Sequence, residues 1–202
     1  MKFQERKQKF YEEYVYILDF LPYGLTLSRG KREGVKGPIV QAIGDRFFTL
    51  LELAPLPGLE LKPGERIPLL RELEGQLIKV TRRLTYDELT ANAKAELQEI
   101  VKQIVIQREN EFVNFFNKAE PLTTRMHSLE LLPGIGKRLL WKILDERRRK
   151  PFESFKDIYD RIRIDPLKSI QERILEELRG EQRHYLFVSP PPHTRTPYGE
   201  EA

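Results

Sequence analysis

The hydrophobic period of this chain changes once, near residue 84, and that switch limits its fold more than any other feature. Upstream, short runs rich in β-branched and aromatic residues alternate with turn signals, the pattern of strands. Residues 14–20 (YVYILDF) make the first run, and Pro22-Tyr23-Gly24 breaks it. Runs at 38–43 and 46–54 flank Gly44-Asp45, a two-residue gap of the kind that closes a hairpin. Lys62-Pro63-Gly64-Glu65 puts Pro and Gly at the centre of a type II turn. Runs at 66–70 and 76–83 follow, joined across Glu74-Gly75. In the last, Leu77, Lys79 and Thr81 alternate with Ile78, Val80 and Arg82, so one face can be buried. Five short strands in about 70 residues fit a small closed or partly closed barrel, and a five-strand sandwich fragment fits the same pattern.

From residue 85 to residue 180 the period is helical. Thr85-Tyr86-Asp87-Glu88 has the form of a capping box. Leu89, Ala93, Leu97, Ile100 and Ile104 then form one apolar stripe, which Phe112, Phe115 and Phe116 continue in a second segment that Pro121 ends. Leu139, Leu140, Ile143 and Leu144 make a further stripe, with Trp141 assigned to core or helix packing. Ser154 with Asp157 can cap a helix burying Phe155, Ile158 and Ile162. Asp165-Pro166 is an N-cap followed by Pro at the first helical position. Leu167, Ile170, Ile174 and Leu178 complete the last stripe, and Gly180 is its C-cap. Residues 185–188 read as one more strand or an extended arm. Residues 189–202, with three consecutive prolines, read as a flexible tail.

Composition removes several functions. None of the 202 residues is cysteine, which excludes disulfide scaffolds, thiol nucleophiles and thiolate zinc sites together. No apolar run approaches the roughly 18 residues a spanning helix needs. The opening MKFQERKQKFYEEYV lacks a signal-peptide apolar core, so a cytoplasmic location is expected. His127, His184 and His193 show no close pairing, so no metal is expected. Leu131 stands five positions before Gly136, so there is no GxxxxGK[ST] phosphate loop, and no cofactor is expected.

The net charge of +4 is small, but its distribution is uneven. Residues 1–84 hold 15 basic and 11 acidic groups, and residues 131–163 hold 10 and 5, with an acidic segment between them. Confined positive surfaces of this kind suit a polyanion. The second block contains LLPGIGKRLLWKIL (131–144). A helix is predicted to end at Leu132, Gly134 and Gly136 allow positive φ in a tight turn, and a second helix starts near Lys137. Ile135 would point inward and fix the crossing of the two helices. The first amides of the second helix have no internal partner and face outward at the positive end of the helix dipole. A phosphate oxygen is their natural acceptor, and Lys137 and Arg138 add full charges at the same end. Such a grip reads backbone and no base.

LPGIG resembles the signature of the helix-hairpin-helix family, a nucleic-acid-binding motif. The resemblance implies phosphate binding at Gly134, Gly136, Lys137 and Arg138, with Ile135 as the buried hairpin residue. Leu140 departs from the pattern, which has a small residue there. Pro151-Phe152-Glu153-Ser154-Phe155-Lys156-Asp157 resembles the linker of paired motifs. Ile164-Asp165-Pro166-Leu167 lacks the glycines of a second hairpin, so that unit reads as structural.

The whole layout resembles an archaeal family of uncharacterised proteins, domain of unknown function 655, regarded as RNA-binding. The fold this implies is α+β, with an N-terminal five-stranded OB-like β-barrel over residues 1–84. Connecting helices over 85–120 and an all-α helix-hairpin-helix domain over 121–188 follow, and then the 189–202 tail. An OB-like barrel would supply a second binding surface. Its candidates are Phe47 or Phe48, of which only one can face outward, with Arg46, and the loop cations Arg29, Lys31, Arg32 and Lys36. Core is the favoured reading of both phenylalanines over a stacking platform, since strand aromatics usually pack. The expected function is thus non-enzymatic binding of nucleic acid, RNA favoured over DNA, through sequence-independent phosphate contacts. The alternatives are a DNA-repair glycosylase using Asp157, which falls 21 residues beyond Gly136, and a protein-interaction adaptor whose hairpin only packs helices.

Overall fold

A computed structural model describes residues 12–24, 37–69, 78–180 and 182–190. The β-rich half forms one antiparallel sheet of five strands: β1 (Tyr14–Leu21), β2 (Ile39–Gly44), β3 (Leu50–Pro55), β4 (Arg66–Pro68) and β5 (Ile78–Arg83). Their spatial order is β4-β1-β2-β3-β5. Among the described residues no ladder joins β4 to β5, so the sheet is open where closure into a barrel was expected. β4 contributes only three residues, and its last, Pro68, has no amide to offer a further partner. Register breaks between Ile17 and Asp19 and between Glu52 and Leu53 mark bulges, which increase the local twist.

β2 is buried along its whole length because both faces of the sheet are covered. Val15, Ile17, Val40, Ala42, Leu51 and Leu53 face a small core closed by Leu61 and Ile67. Tyr16, Leu18, Ile43 and Leu50 face the helices. The β2–β3 connection is residues 45–49, longer than the two-residue gap expected. The buried carboxylate of Glu12 holds it open, accepting from the amides of Arg46, Phe47 and Thr49 at 3.0–3.2 Å. Phe48 takes a φ of +53° and is core.

The Thr85 box closes a 3-10 turn (Tyr86–Glu88) and does not start the long helix as expected; the Glu88 carboxylate accepts from the Thr85 amide at 2.8 Å. Helix α1 (Ala91–Gln107) starts instead at Thr90, whose hydroxyl accepts from the Ala93 amide. α2 (Glu109–Lys118) follows after Arg108, whose Nη1 donates to the carbonyls of Asp45 and Arg46 and ties the helices to the β2–β3 turn. A two-stranded ribbon, β6 (Pro121–Thr123) with β7 (Met126–His127), leads to a 3-10 turn (Ser128–Leu131). Helices α3 (Lys137–Arg149), α4 (Phe155–Ile162) and α5 (Pro166–Arg179) complete the order.

One core runs from Tyr16 to Val188, so the segments 1–84, 85–120 and 121–188 share it. Residues 182–190 pack as an arm. The fully buried carboxylate of Glu177 accepts from the amides of Leu186, Phe187 and Val188, and Ser189 donates to the Phe47 carbonyl. Arg173, also buried, pairs with Glu177 at 2.8 Å and donates to the His184 carbonyl. Among the described residues no helix is long and apolar enough to cross a membrane.

Candidate nucleic-acid interface

Residues 126–144 fold around one turn. Ahead of it, His127 Nδ1 accepts from the Leu129 amide at 3.2 Å, and Glu130 accepts from the His127 amide at 2.8 Å. A helix was expected here, and only the four-residue 3-10 turn is formed. The Ile135 amide then donates to the Leu132 carbonyl at 3.1 Å, with Pro133 and Gly134 between them. Gly134 has φ +87°, the left-handed value a type II turn requires at that position. Gly136, at φ −91° and ψ 178°, is ordinary extended backbone, so only the first glycine of the pair uses the left-handed region. Ile135 is buried, as its position in the motif predicted. A Cβ on Gly134 would stand 3.6 Å from Ile164 Cδ1, so the α4–α5 turn packs against this one.

Gly136 immediately precedes α3, and among the described residues no side chain caps this helix, whereas Thr90, Ser154 and Asp165 cap α1, α4 and α5. A Cβ on Gly136 would meet nothing within 4 Å, so the space before the first amides is open. The two neighbouring cations divide. Lys137 turns back to an ion pair with Glu130 at 2.8 Å and donates to the Arg125 carbonyl at 3.0 Å. The hydrogen bond from Lys137 to Glu130, with the one from the His127 amide, holds the Glu130 carboxyl below its ordinary range. Arg138 is exposed and makes no ion pair among the described residues. Along α3, six basic residues stand against two acidic ones, an excess as large as the formal net charge of the whole chain. A groove beside the helix is lined by Gly136, Arg138, Lys142, Asp145, Arg149 and Ile162, among others.

Arg147 points the other way. Its Nη1 donates to the carbonyls of Phe116 and Ala119, both at 3.0 Å, and burial followed by the charge of Arg148 lowers its pKa. Burial also pushes the imidazole of His127 below its ordinary value, with the Arg147 charge acting in the same direction.

Trp141, expected to pack, is 59% exposed on α3. The signal was in the spacing: Leu140, Ile143 and Leu144 form the buried stripe, and position 141 lies off it. Arg46 is exposed on the β2–β3 turn, its guanidinium 5.2 Å from the ring centroid of half-buried Phe47. Gly134, Ile135, Gly136, Lys137 and Arg138 come together at one turn, and Arg46 belongs to another. Arg29, Lys31, Arg32 and Lys36 lie outside the described residues. Asp157 accepts from the Glu153 amide at 3.1 Å and pairs with Arg161 at 3.2 Å, which commits it to the start of α4. Among the described residues no three His, Cys, Asp or Glu side chains are grouped to hold a metal ion.

The comparisons with known proteins agree with this architecture. A family model described as a protein of unknown function, DUF655, matches residues 11–189. An uncharacterised protein of Methanocaldococcus jannaschii is 41% identical over 187 residues, covering 92% of this chain and 83% of the relative. A crystal structure of an Archaeoglobus fulgidus protein described with the same family superposes with a TM-score of 0.76 at 40% identity, covering 88% of this chain and 100% of that one.

Proposed function

We propose that this chain, which belongs to the DUF655 family of proteins of unknown function, is a non-enzymatic nucleic-acid-binding protein that grips backbone phosphates at the 133–138 turn. RNA is favoured over DNA, and a cytoplasmic location goes with this reading. In it, residues 121–188 act as a helix-hairpin-helix domain, and the open sheet is an OB-like second surface with Arg46 on its rim. One observation carries the proposal. The start of α3 has no side-chain cap, opens to solvent at Gly136, and has exposed Arg138 beside it. An anion there gains both the free amides and the dipole. Lys137 is assigned to holding Glu130 and the turn, so Arg138 supplies the charge next to the phosphate, with Lys142 and Arg149 along the groove.

The test is the salt dependence of binding to an RNA duplex. Neutralising roughly 4 to 5 phosphates gives a slope of log affinity against log salt near −4. Arg138→Glu shallows that slope by about 1 to 2. A slope that does not move removes the turn from the interface, and absence of binding at low salt to duplex and single strand alike overturns the reading. The glycosylase alternative has less to support it, because Asp157 is already occupied by Arg161 and the Glu153 amide.

A further inference from the structure

We infer that Trp141 is a stacking platform for an unpaired base, so that the ligand of the α3 surface is a single-stranded or locally unpaired nucleic acid. This rests on the phosphate-binding reading of the same helix and goes beyond it, because phosphate contact alone accepts a duplex equally well.

Trp141 is the chain's one tryptophan, and it leaves 59% of its surface in water. A ring of that size normally contributes its apolar area to a core or an interface. Its nearest unpaired cation among the described residues is exposed Arg138, three residues before; Lys137, four before, is turned to Glu130, and Arg148 lies seven after. The one acidic neighbour on that face, Asp145, is paired with Arg148 at 3.4 Å. An aromatic plane among cations matches a strand whose bases are free, with stacking below the base and charge beside the phosphates.

The spacing fits as well. Trp141 lies one helical turn, about 5.4 Å along the axis, beyond the first amides of α3. That separation lets one nucleotide rest its phosphate on the amides and its base on the ring. A paired base offers no free face, and the indole would then meet only sugar and phosphate, a poor exchange for an apolar surface. A protein partner is the weaker occupant, because the ring stands beside exposed Arg138 and the open amides that start α3, a combination that suits a polyanion.

The single tryptophan makes the test direct, since all indole fluorescence comes from position 141. The full chain is titrated with an oligouridylate of about 12 nucleotides, whose bases stack poorly on one another, and with an RNA duplex of similar length. Binding is read separately from the anisotropy of a label on the probe. The inference expects strong quenching by the oligouridylate and little by the duplex. It also expects Trp141→Ala to lower the ratio of single-strand to duplex affinity by about 5- to 150-fold, with Trp141→Phe keeping most of it. If both probes bind while fluorescence and the ratio stay unchanged, the stacking role is overturned and the phosphate reading survives. If neither probe binds, the phosphate reading fails and takes this inference with it. If Trp141→Ala instead converts a dimer into a monomer in sedimentation and leaves oligouridylate binding intact, the ring covers a second copy of the chain and the inference is wrong.

Discussion

Three clusters of backbone amides can be compared in this molecule. At the β2–β3 turn, the amides of Arg46, Phe47 and Thr49 converge on the Glu12 carboxylate. In the C-terminal arm, those of Leu186, Phe187 and Val188 converge on Glu177. At the start of α3 a third set opens behind Gly136, and no side chain among the described residues caps it. Both carboxylates are buried, and the first is packed so tightly that the neighbouring sequence is constrained: a Cβ on Gly44 would stand 1.9 Å from Glu12 Cδ. The third has empty space in the corresponding place. An anion site completed by the chain's own carboxylate serves the architecture. One left open by a glycine is available to an anion from outside.

Four measurements sharpen or break that contrast. Glu177→Gln should have the largest effect, because it leaves buried Arg173 with only the part-exposed carboxylate of Glu176, at 3.6 Å, as counter-charge; unfolding in urea should show a loss of about 3 to 5 kcal/mol. Glu12→Ala should cost roughly 2 to 4 kcal/mol by the same assay, through the amides it strands. A loss near zero in either would mean that the sealed clusters are not structural.

Gly136→Asp converts the open cluster into a closed one. Gly136 has ordinary φ, so the substitution is unstrained and provides an N-cap carboxylate. Stability should rise by a few tenths of a kcal/mol while RNA affinity drops about tenfold. A gain in stability with undiminished binding would erase the distinction between the clusters.

The smallest effect is in pH. His127 titrates below its ordinary value near 6.5 because burial favours the neutral ring, and only the neutral ring accepts from Leu129. Its contribution is therefore complete above about pH 6.5 and is lost as the pH falls toward the lower folded value. The melting temperature of wild type should decline between about pH 7.5 and 5.5 more steeply than that of His127→Asn.

Much of the helical half was legible because caps and stripes are local. Ser154, Asp165, Pro166 and Gly180 act where spacing put them, and Ile135 is buried as its motif implied. The misreadings have non-local causes. Thr85 and Glu88 close a short turn because Gln41, from β2, takes the Thr90 amide and the Glu88 carbonyl and sets the helix start further on. The β2–β3 connection lengthened because Glu12, more than 30 residues upstream, fills it. At the candidate site the turn and its glycines could be read directly, but the division of labour between Lys137 and Arg138 could not. Glu130 lies seven residues from Lys137, across a turn whose geometry decides the pairing.

The hydrogen bond from Ser189 to the Phe47 carbonyl has a consequence for how the chain is made. Phe47 leaves the ribosome long before Ser189 does, and so does Glu177 before the three amides it binds. The sheet and the helices therefore emerge with their closing strap still unsynthesised, and the arm locks them together afterwards. A nascent chain stalled before residue 186 would carry an acid destined for the interior with Arg173 but none of its three amides to hold, a ready mark of an unfinished product.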